Sequence, residues 1–410
     1  MNRRIAIFAL LYASEGAPIG FIWWALPTLL RSADVPIERI TSLTAVLLLP
    51  WMFKFLWAPF LDLLRGPRWG YRAWILSMQT LMAAALVPLV WLDPVADFGW
   101  WRLLLLVHAV AASTQDVAID ALAIRAVPPE ARGRLNGAMQ AGMLTGRSVF
   151  GGGVLLVGAW FGREWIVGSL VAWIVVALAG ALMLREAEPP RRADAGAFFG
   201  ALAEAIRLRT TWIGLAFALV AAAAFEATGQ LAGPFLVDRG VASGTIGIFF
   251  GLLVVGAMLA GGLVGGTLSD RLGRLPSAAG SLVGFVVMIV LLALADLSGG
   301  AGAGTLIALL TGMYFFVGFF TAVSYALFMD LTDPRLGATQ FSAYMAATNG
   351  CESWSAFTSG RIVAAQGYPA AFLVMSAVSL LGLPLLALLR RMGKVRGLRY
   401  DDSAGASLNV

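Results

Sequence analysis

Twelve stretches of mostly apolar residues, each long enough to cross a lipid bilayer, follow one another along this 410-residue chain. A bilayer-spanning helix needs about 20 such residues, and only helices or closed barrels satisfy all their backbone hydrogen bonds in lipid. The predicted spans are residues 5–30, 37–61, 73–92, 100–125, 135–158, 164–184, 210–236, 244–268, 275–296, 302–329, 338–362 and 368–389. The sequence therefore predicts an all-α membrane protein with twelve transmembrane helices.

The two halves of the chain repeat the same landmarks about 207 residues apart. Pro27 in ALPTLLR corresponds to Pro234 in AGPFLVD, and Asp62 and Asp270 each close an apolar stretch. A parallel duplication in a membrane-protein sequence is typical of transporters that hold a substrate site between two matched halves. We predict two six-helix pseudo-repeats, at residues 1–184 and 210–392. A cytoplasmic linker, 185–209, joins them, and a cytoplasmic tail, 393–410, follows.

The distribution of charged residues along the chain indicates its membrane topology. Charged residues make up 13% of the chain, about half the share of a soluble domain, so most of the surface is expected to face lipid. If both termini are cytoplasmic, 21 lysines and arginines lie on the inner side and five on the outer side. This is the positive-inside bias. We predict a multi-pass protein of the bacterial inner membrane, with both termini in the cytoplasm and no nucleic-acid partner.

The sequence excludes several classes of chemistry. Cys351 and His108 are the only cysteine and histidine, so an internal disulfide and a Cys-rich metal site are excluded, and most zinc sites are disfavoured. The chain has no GxxxxGK[ST] nucleotide-binding signature. We predict no metal and no cofactor, and we expect an ion gradient to supply the energy, with protons favoured over sodium. A membrane-embedded transferase and a non-transporting sensor remain as alternatives, but the chain is not predicted to be an enzyme.

Residues 265–274, GGTLSDRLGR, resemble the cytoplasmic-loop signature of the major facilitator superfamily, which has Gly, Asp, Arg, Gly and Arg in this order. The resemblance implies that charges at the cytoplasmic ends of the helices latch the two halves together. The alternative is that these charges only keep the loops in water. The gating candidates are Asp62, Asp120, Asp270, Arg271, Arg274 and Asp330.

Four stretches of the first half are similar to the AmpG-like permease branch of that superfamily: 14–31, 53–62, 113–133 and 146–153. This branch groups muropeptide permeases, acetyl-coenzyme A transporters and some siderophore permeases. The resemblance implies a monomeric secondary transporter that imports a small-molecule solute together with protons. Muropeptide permeases of the branch often carry extra C-terminal spans, and this chain stops after twelve. A siderophore is therefore the predicted cargo, with a muropeptide as the alternative and acetyl-coenzyme A as a weaker third.

Charged residues inside the predicted spans are the main candidates for a functional site. An ionised group at the middle of a bilayer costs at least about 2.5–3.5 kcal/mol on insertion scales. These side chains are therefore expected to line a water-filled cavity or to pair with one another. They are Glu15, Lys54, Asp116, Asp120, Arg147, Glu226, Glu352 and Arg361, with Asp330 at a boundary.

Carboxyl groups are the candidates for proton coupling. Asp116 and Asp120 lie four residues apart and share one helix face, where two carboxylates repel unless a cation or a proton lies near. Glu15 lies beside Gly16 and Pro18, which loosen the helix where backbone groups can face a cavity. The proton-coupling candidates are Glu15, Asp116 and Glu226.

The remaining candidates are assigned to a substrate cavity. Lys54 or Arg147 would hold an anionic group by charge-assisted hydrogen bonds, or would neutralise Asp116 instead. Trp24 would stack on an aromatic ligand or act as an interface anchor. A network of structural ion pairs is the alternative for all of the charges. The substrate-cavity candidates are Trp24, Lys54, Gln115, Arg147, Glu352 and Arg361.

Overall fold

The computed structural model describes residues 2–63, 69–126, 132–183, 207–332 and 337–392. Within these ranges the chain forms twelve long helical segments, which confirms the predicted all-α fold. They are α1 Ile5–Ser32, α2 Ile37–Leu63, α3 Tyr71–Val90, α4 Phe98–Ala123, α5 Ala138–Phe161, α6 Glu164–Leu182, α7 Arg209–Asp238, α8 Ser243–Leu272, α9 Arg274–Leu297, α10 Ala303–Leu331, α11 Gly337–Gln366 and α12 Tyr368–Arg391.

Ten of these segments, all except α2 and α11, are long and apolar enough to cross a membrane over the part of the chain that the structure describes. Polar residues such as Gln340, Asn349 and Glu352 interrupt α11. This helix packs against α2. Apart from residues 207–209, the predicted linker lies outside the described ranges, and so does the predicted tail.

The helices divide into an N-half, α1–α6, and a C-half, α7–α12. We call the side on which α1 and α7 begin the terminus side. The opposite side, where α1 ends at Ser32 and α7 ends at Asp238, is the far side. Because successive helices alternate in direction, odd-numbered helices run from the terminus side to the far side and even-numbered helices run back.

Glycines allow close helix packing inside each half. A Cβ atom on Gly146 of α5 would lie 2.2 Å from the carbonyl oxygen of Ala13 on α1, and one on Gly261 of α8 would lie 1.8 Å from that of Phe315 on α10. Both distances are far below van der Waals contact, so only glycine permits these approaches. Small residues bring helix backbones together in lipid, where there is little hydrophobic drive for association.

Three π-helical turns interrupt the helices where the two halves meet: Phe21–Ala25 in α1, Val149–Gly153 in α5 and Phe249–Val254 in α8. The turn in α5 packs against the other two. A Cβ on Gly152 would lie 2.1 Å from the backbone nitrogen of Gly251, so the halves touch here backbone to backbone. Such turns occur frequently at functional sites.

Candidate functional site

The two halves are tied together at the far side by a charged pair. The Arg31 Nε atom, near the end of α1, donates to Asp238 Oδ1 at the end of α7 over 2.6 Å. The hydroxyl of Tyr368 on α12 donates to the other oxygen of Asp238 over 2.8 Å. Arg31 and Asp238 are 207 residues apart, which is the offset of the internal repeat. Equivalent positions of the two halves thus carry opposite charges and pair with each other.

Close contact between the halves continues from the far side to the middle of the bundle. Gly360 of α11 packs against Thr41 of α2 so tightly that a Cβ on the glycine would clash with the threonine side chain. The Ser353 hydroxyl donates to the carbonyl oxygen of Ala45 over 2.9 Å. The interface between α2 and α11 therefore closes the far side of the molecule.

Tyr325 of α10 marks a cavity between the halves. It interacts electrostatically with Lys54 and Arg147 of the N-half and with Glu226 and Glu352 of the C-half, yet 40% of its surface is exposed. From this exposure among charges of both halves we infer that Tyr325 lies in a space between them. Because the far side is closed, this space opens on the terminus side.

The N-half contributes a cluster of ionisable groups beside this space. Lys54 of α2 forms an ion pair with Asp116 of α4, and the Tyr12 hydroxyl of α1 donates to Asp120, one turn after Asp116. Glu15 of α1 interacts with both aspartates and with Lys54. The cluster thus sets one lysine against three carboxyl groups. We call these five residues the N-half cluster.

An amide network lies beside the N-half cluster and joins α1, α3 and α4. The hydroxyl oxygen of Ser14 accepts hydrogen bonds from the side-chain amides of Gln79 at 3.2 Å and Gln115 at 3.4 Å. The amide oxygens of both glutamines and Oε2 of Glu15 are buried without a hydrogen-bond partner among the described residues. Gln115 is fully buried, and its hydrogen bond to Ser14 joins α4 to α1 in this conformation.

A second group of charges faces the same space from both halves. Arg147 of α5 lies in electrostatic range of Glu226 on α7 and Glu352 on α11. The structure contains no ion pair within 4 Å between Arg147 and either glutamate among the described residues. Gln230, one turn after Glu226, donates to Glu352 Oε1 over 3.1 Å. We call Arg147, Glu226, Gln230 and Glu352 the central group.

Trp24 lies in the interface between the halves, not in the open space. It belongs to the π-helical turn of α1, is 6% exposed, and stacks on Phe250 of α8 with ring centroids 5.4 Å apart. The ring of Tyr314 packs against it in a T-shaped arrangement, with ring centroids 6.4 Å apart. Trp24 was a candidate for stacking on an aromatic ligand, but these contacts favour a role in packing the two halves.

Arg361 is not brought to the central group. It lies nine residues after Glu352 on α11, or about 14 Å along a helix. Its guanidinium is stacked over the ring of Phe357 at 3.8 Å, and the residue is exposed. The predicted separation of Glu352 from Arg361 thus agrees with the structure, but the assignment of Arg361 to the substrate cavity does not.

The signature stretch 265–274 organises the terminus side of the C-half. Gly273 has a φ of +90°, a conformation that favours glycine, and it reverses the chain between α8 and α9. Arg274 then donates back to Asp270 at 2.7 Å and lies 3.5 Å from Asp330 at the end of α10. These contacts join helices of the C-half to each other and do not reach the N-half in this conformation.

Two further gating candidates whose side chains the structure describes, Arg271 and Asp120, give no contact across the halves in this conformation. Arg271 is exposed at the end of α8, and Asp120 is held by Tyr12 within the N-half. Asp62 lies in the last turn of α2, and its side chain is outside what the structure describes. A latch on the terminus side therefore remains a prediction for a state in which that side is closed.

Sequence reasoning missed three elements of the site. Tyr325 has no neighbouring motif, and Tyr12 looks like an ordinary residue of an apolar span. The pairing of Arg31 with Asp238 could have been found, because they occupy the same place in the repeated stretches ALPTLLR and AGPFLVD. The signal for such a pair is that the two repeats carry opposite charges at equivalent positions, close to the axis that relates the two halves.

Comparison with known proteins supports this assignment of the fold. No family model matches the sequence. The chain is 25% identical over 407 residues to the anhydromuropeptide permease of Escherichia coli strain K12, a match that covers 95% of this chain and 80% of that protein. It is also 25% identical over 418 residues to the putative transporter AmpG 4 of Rickettsia conorii, with 94% and 95% of the two chains covered.

The fold is that of solved transporters. The crystal structure of a D-xylose–proton symporter superposes with a TM-score of 0.73 at 13% identity and covers 96% of this chain and 97% of that one. These relatives are named as permeases, transporters or symporters, so the prediction that the chain is not an enzyme is confirmed. The chain is thus similar to AmpG permeases over nearly its whole length, which agrees with the resemblance of its motifs, and it is a multi-pass membrane transporter of a small-molecule solute.

Proposed function

We propose that the protein is a proton-coupled permease of the bacterial inner membrane and that it imports an anhydromuropeptide, a sugar–peptide fragment of the cell wall. The observation that carries the cargo is the match to the anhydromuropeptide permease over 95% of the chain. Between the two main cargoes predicted from the sequence, this relative favours the muropeptide over the siderophore.

The N-half cluster supports proton coupling. It holds Glu15, Asp116 and Asp120 against the single cation Lys54, so neutrality requires protons or further cations. Glu15 has a buried oxygen without a hydrogen-bond partner in the described chain, whereas Asp116 is paired with Lys54 and Asp120 with Tyr12. We assign the coupled proton to Glu15 for this reason.

The structure, closed on the far side and open on the terminus side, represents one of the two states of the proposed transport cycle. With the termini in the cytoplasm, as the charge distribution predicts, the state described here would release the solute to the cytoplasm. Opening of the Arg31–Asp238 pair would expose the same space to the periplasm. We propose that a single chain performs this exchange, because each monomer contains both halves and the space between them.

Exchange transport in proteoliposomes tests the cargo without any need for a gradient. Three sets of vesicles with the purified protein are loaded with unlabelled anhydromuropeptide, ferric siderophore or acetyl-coenzyme A, and the entry of the same compound in labelled form is followed in each set. We expect exchange of the anhydromuropeptide alone. Exchange of the siderophore without exchange of the anhydromuropeptide would show that the proposed cargo is wrong. Vesicles without protein give the background.

A further inference from the structure

The central group contains hydrogen-bonding groups with no partner on either side of the gap between the halves. Arg147 has a buried Nε without a hydrogen-bond acceptor among the described residues, and Gln230 has a buried Oε1 without a donor. No hydrogen bond to the Glu226 carboxyl is found in the described part of the chain. Buried polar atoms of native proteins normally find partners. Unpaired atoms on both sides of one gap therefore point to a ligand that bridges it.

The C-half members of the central group offer mainly acceptors. Glu226 and Gln230 lie four residues apart on α7 and so share a face. Gln230 uses its amide nitrogen on Glu352, which leaves its oxygen free beside two carboxyl groups. An ammonium group has three N–H donors and no acceptor. Two carboxylates and one amide oxygen match that set of donors.

Arg147, the one member of the central group that belongs to the N-half, offers only donors. The backbone of Arg147 packs against Gly20 of α1 so closely that a Cβ on the glycine would lie 2.5 Å from the Arg147 carbonyl oxygen. This contact fixes where the side chain starts. A guanidinium presents its N–H groups as a planar fork that fits a carboxylate. The carboxylate of a ligand would occupy the position beside the Arg147 guanidinium, where none of the described acidic residues forms an ion pair with it.

The signs of the charges favour a ligand that carries both a positive and a negative group. An anion at Arg147 would be repelled by Glu226 and Glu352, and a cation at the two glutamates would be repelled by Arg147. A ligand with a carboxylate and an ammonium group close together satisfies both sides at once. Because the two sides belong to different halves, such a ligand would also draw the halves together.

We infer that the central group binds a zwitterionic amino-acid end of the transported solute, with the carboxylate on Arg147 and the ammonium group on Glu226, Gln230 and Glu352. The inference rests on the proposed function, because it takes the peptide part of an anhydromuropeptide as the group that is bound. The sugar part has no role in this contact.

Competition in the exchange assay tests the inference. The probe is an anhydromuropeptide whose peptide ends in a diamino acid with a free amine, and the competitors are its N-acetylated and its carboxyl-amidated forms. A lost charge-assisted hydrogen bond weakens binding by about 10- to 100-fold. We expect each modified form to compete about 10- to 100-fold less well than the probe itself.

Variants identify which side of the gap binds the ammonium group of the solute and which side binds its carboxylate. Glu352→Gln should remove most of the difference between the free and the N-acetylated forms, and Arg147→Gln should remove most of the difference between the free and the amidated forms. Arg361→Gln is the matched control, since it removes an arginine outside the cavity and should leave both differences intact.

The outcomes separate the two proposals. If the unmodified anhydromuropeptide is not exchanged at all, the proposed function is wrong. If it is exchanged and both modified forms compete as well as it does, the function stands and the zwitterion site is wrong. Unchanged discrimination in Glu352→Gln and Arg147→Gln, with exchange preserved, would also overturn the assignment of the site.

Discussion

Replacing Lys54 with methionine is expected to cost more stability than replacing its partner Asp116 with asparagine. Methionine at position 54 leaves Glu15, Asp116 and Asp120 buried without a cation. Removing one partner of a fully buried ion pair costs about 3–5 kcal/mol, because the other charge loses its compensation, and a smaller cost is expected here because 29% of the Lys54 side chain is accessible. Asparagine at position 116 has the opposite effect on the charge balance, since it removes one of three carboxyl groups and leaves Lys54 close to the other two.

Thermal unfolding of the purified variants in detergent measures this difference. The order of stability should be wild type, then Asp116→Asn, then Lys54→Met. In the double variant, the asparagine should offset part of the loss caused by Lys54→Met, because it removes one of the uncompensated carboxyl groups. If Asp116→Asn is the less stable of the two single variants, the charge balance that we assign to the N-half cluster is wrong.

Reversing the charge of Arg31 is expected to open the far side. Aspartate at position 31 would face Asp238 at the point where Arg31 now donates a 2.6 Å hydrogen bond. The pair is partly exposed, with 27% and 21% of the two side chains accessible, so its Coulomb energy is screened by solvent. Even so, loss of a charge-assisted hydrogen bond is worth about 1.5–3 kcal/mol, which shifts a two-state equilibrium by about 10- to 150-fold.

Spin labels at two exposed serines of the far side report this shift. Ser32→Cys ends α1 and Ser243→Cys begins α8, and the native Cys351 is buried and will not react. In Arg31→Asp the distance distribution between the labels should gain a longer component. Exchanging the charges, with Arg31→Asp and Asp238→Arg together, should remove that component. A distribution that stays the same in all three proteins would mean that the pair does not hold the far side closed.

The sequence was sufficient for the architecture because lipid leaves a chain few options. Apolar stretches of the right length had to become helices, and the 207-residue repeat indicated two halves with a space between them. Spacing also placed Asp116 and Asp120 on one face of α4. The structure gives each of them a partner from another helix, Lys54 and Tyr12.

What the sequence did not reveal depends on which helices meet. Lys54 and Arg147 were equal candidates to neutralise Asp116, and only the packing of α2 on α4 and of α5 beside the C-half separates them. Arg361 looked like a cavity residue because it lies in a span, but its position on α11 directs it to Phe357. The π-helical turns left no pattern in the residue types that periodicity could detect.

Uptake driven by a pH gradient tests the central claim most directly. Proteoliposomes with the wild-type protein and an acidic exterior should accumulate labelled anhydromuropeptide above the external concentration, and a protonophore should abolish the accumulation. Glu15→Gln should exchange the solute at a rate comparable with the wild type but should not accumulate it, because the coupled proton has lost its carrier. Accumulation by Glu15→Gln equal to that of the wild type, or wild-type accumulation that persists with the protonophore, would contradict the account.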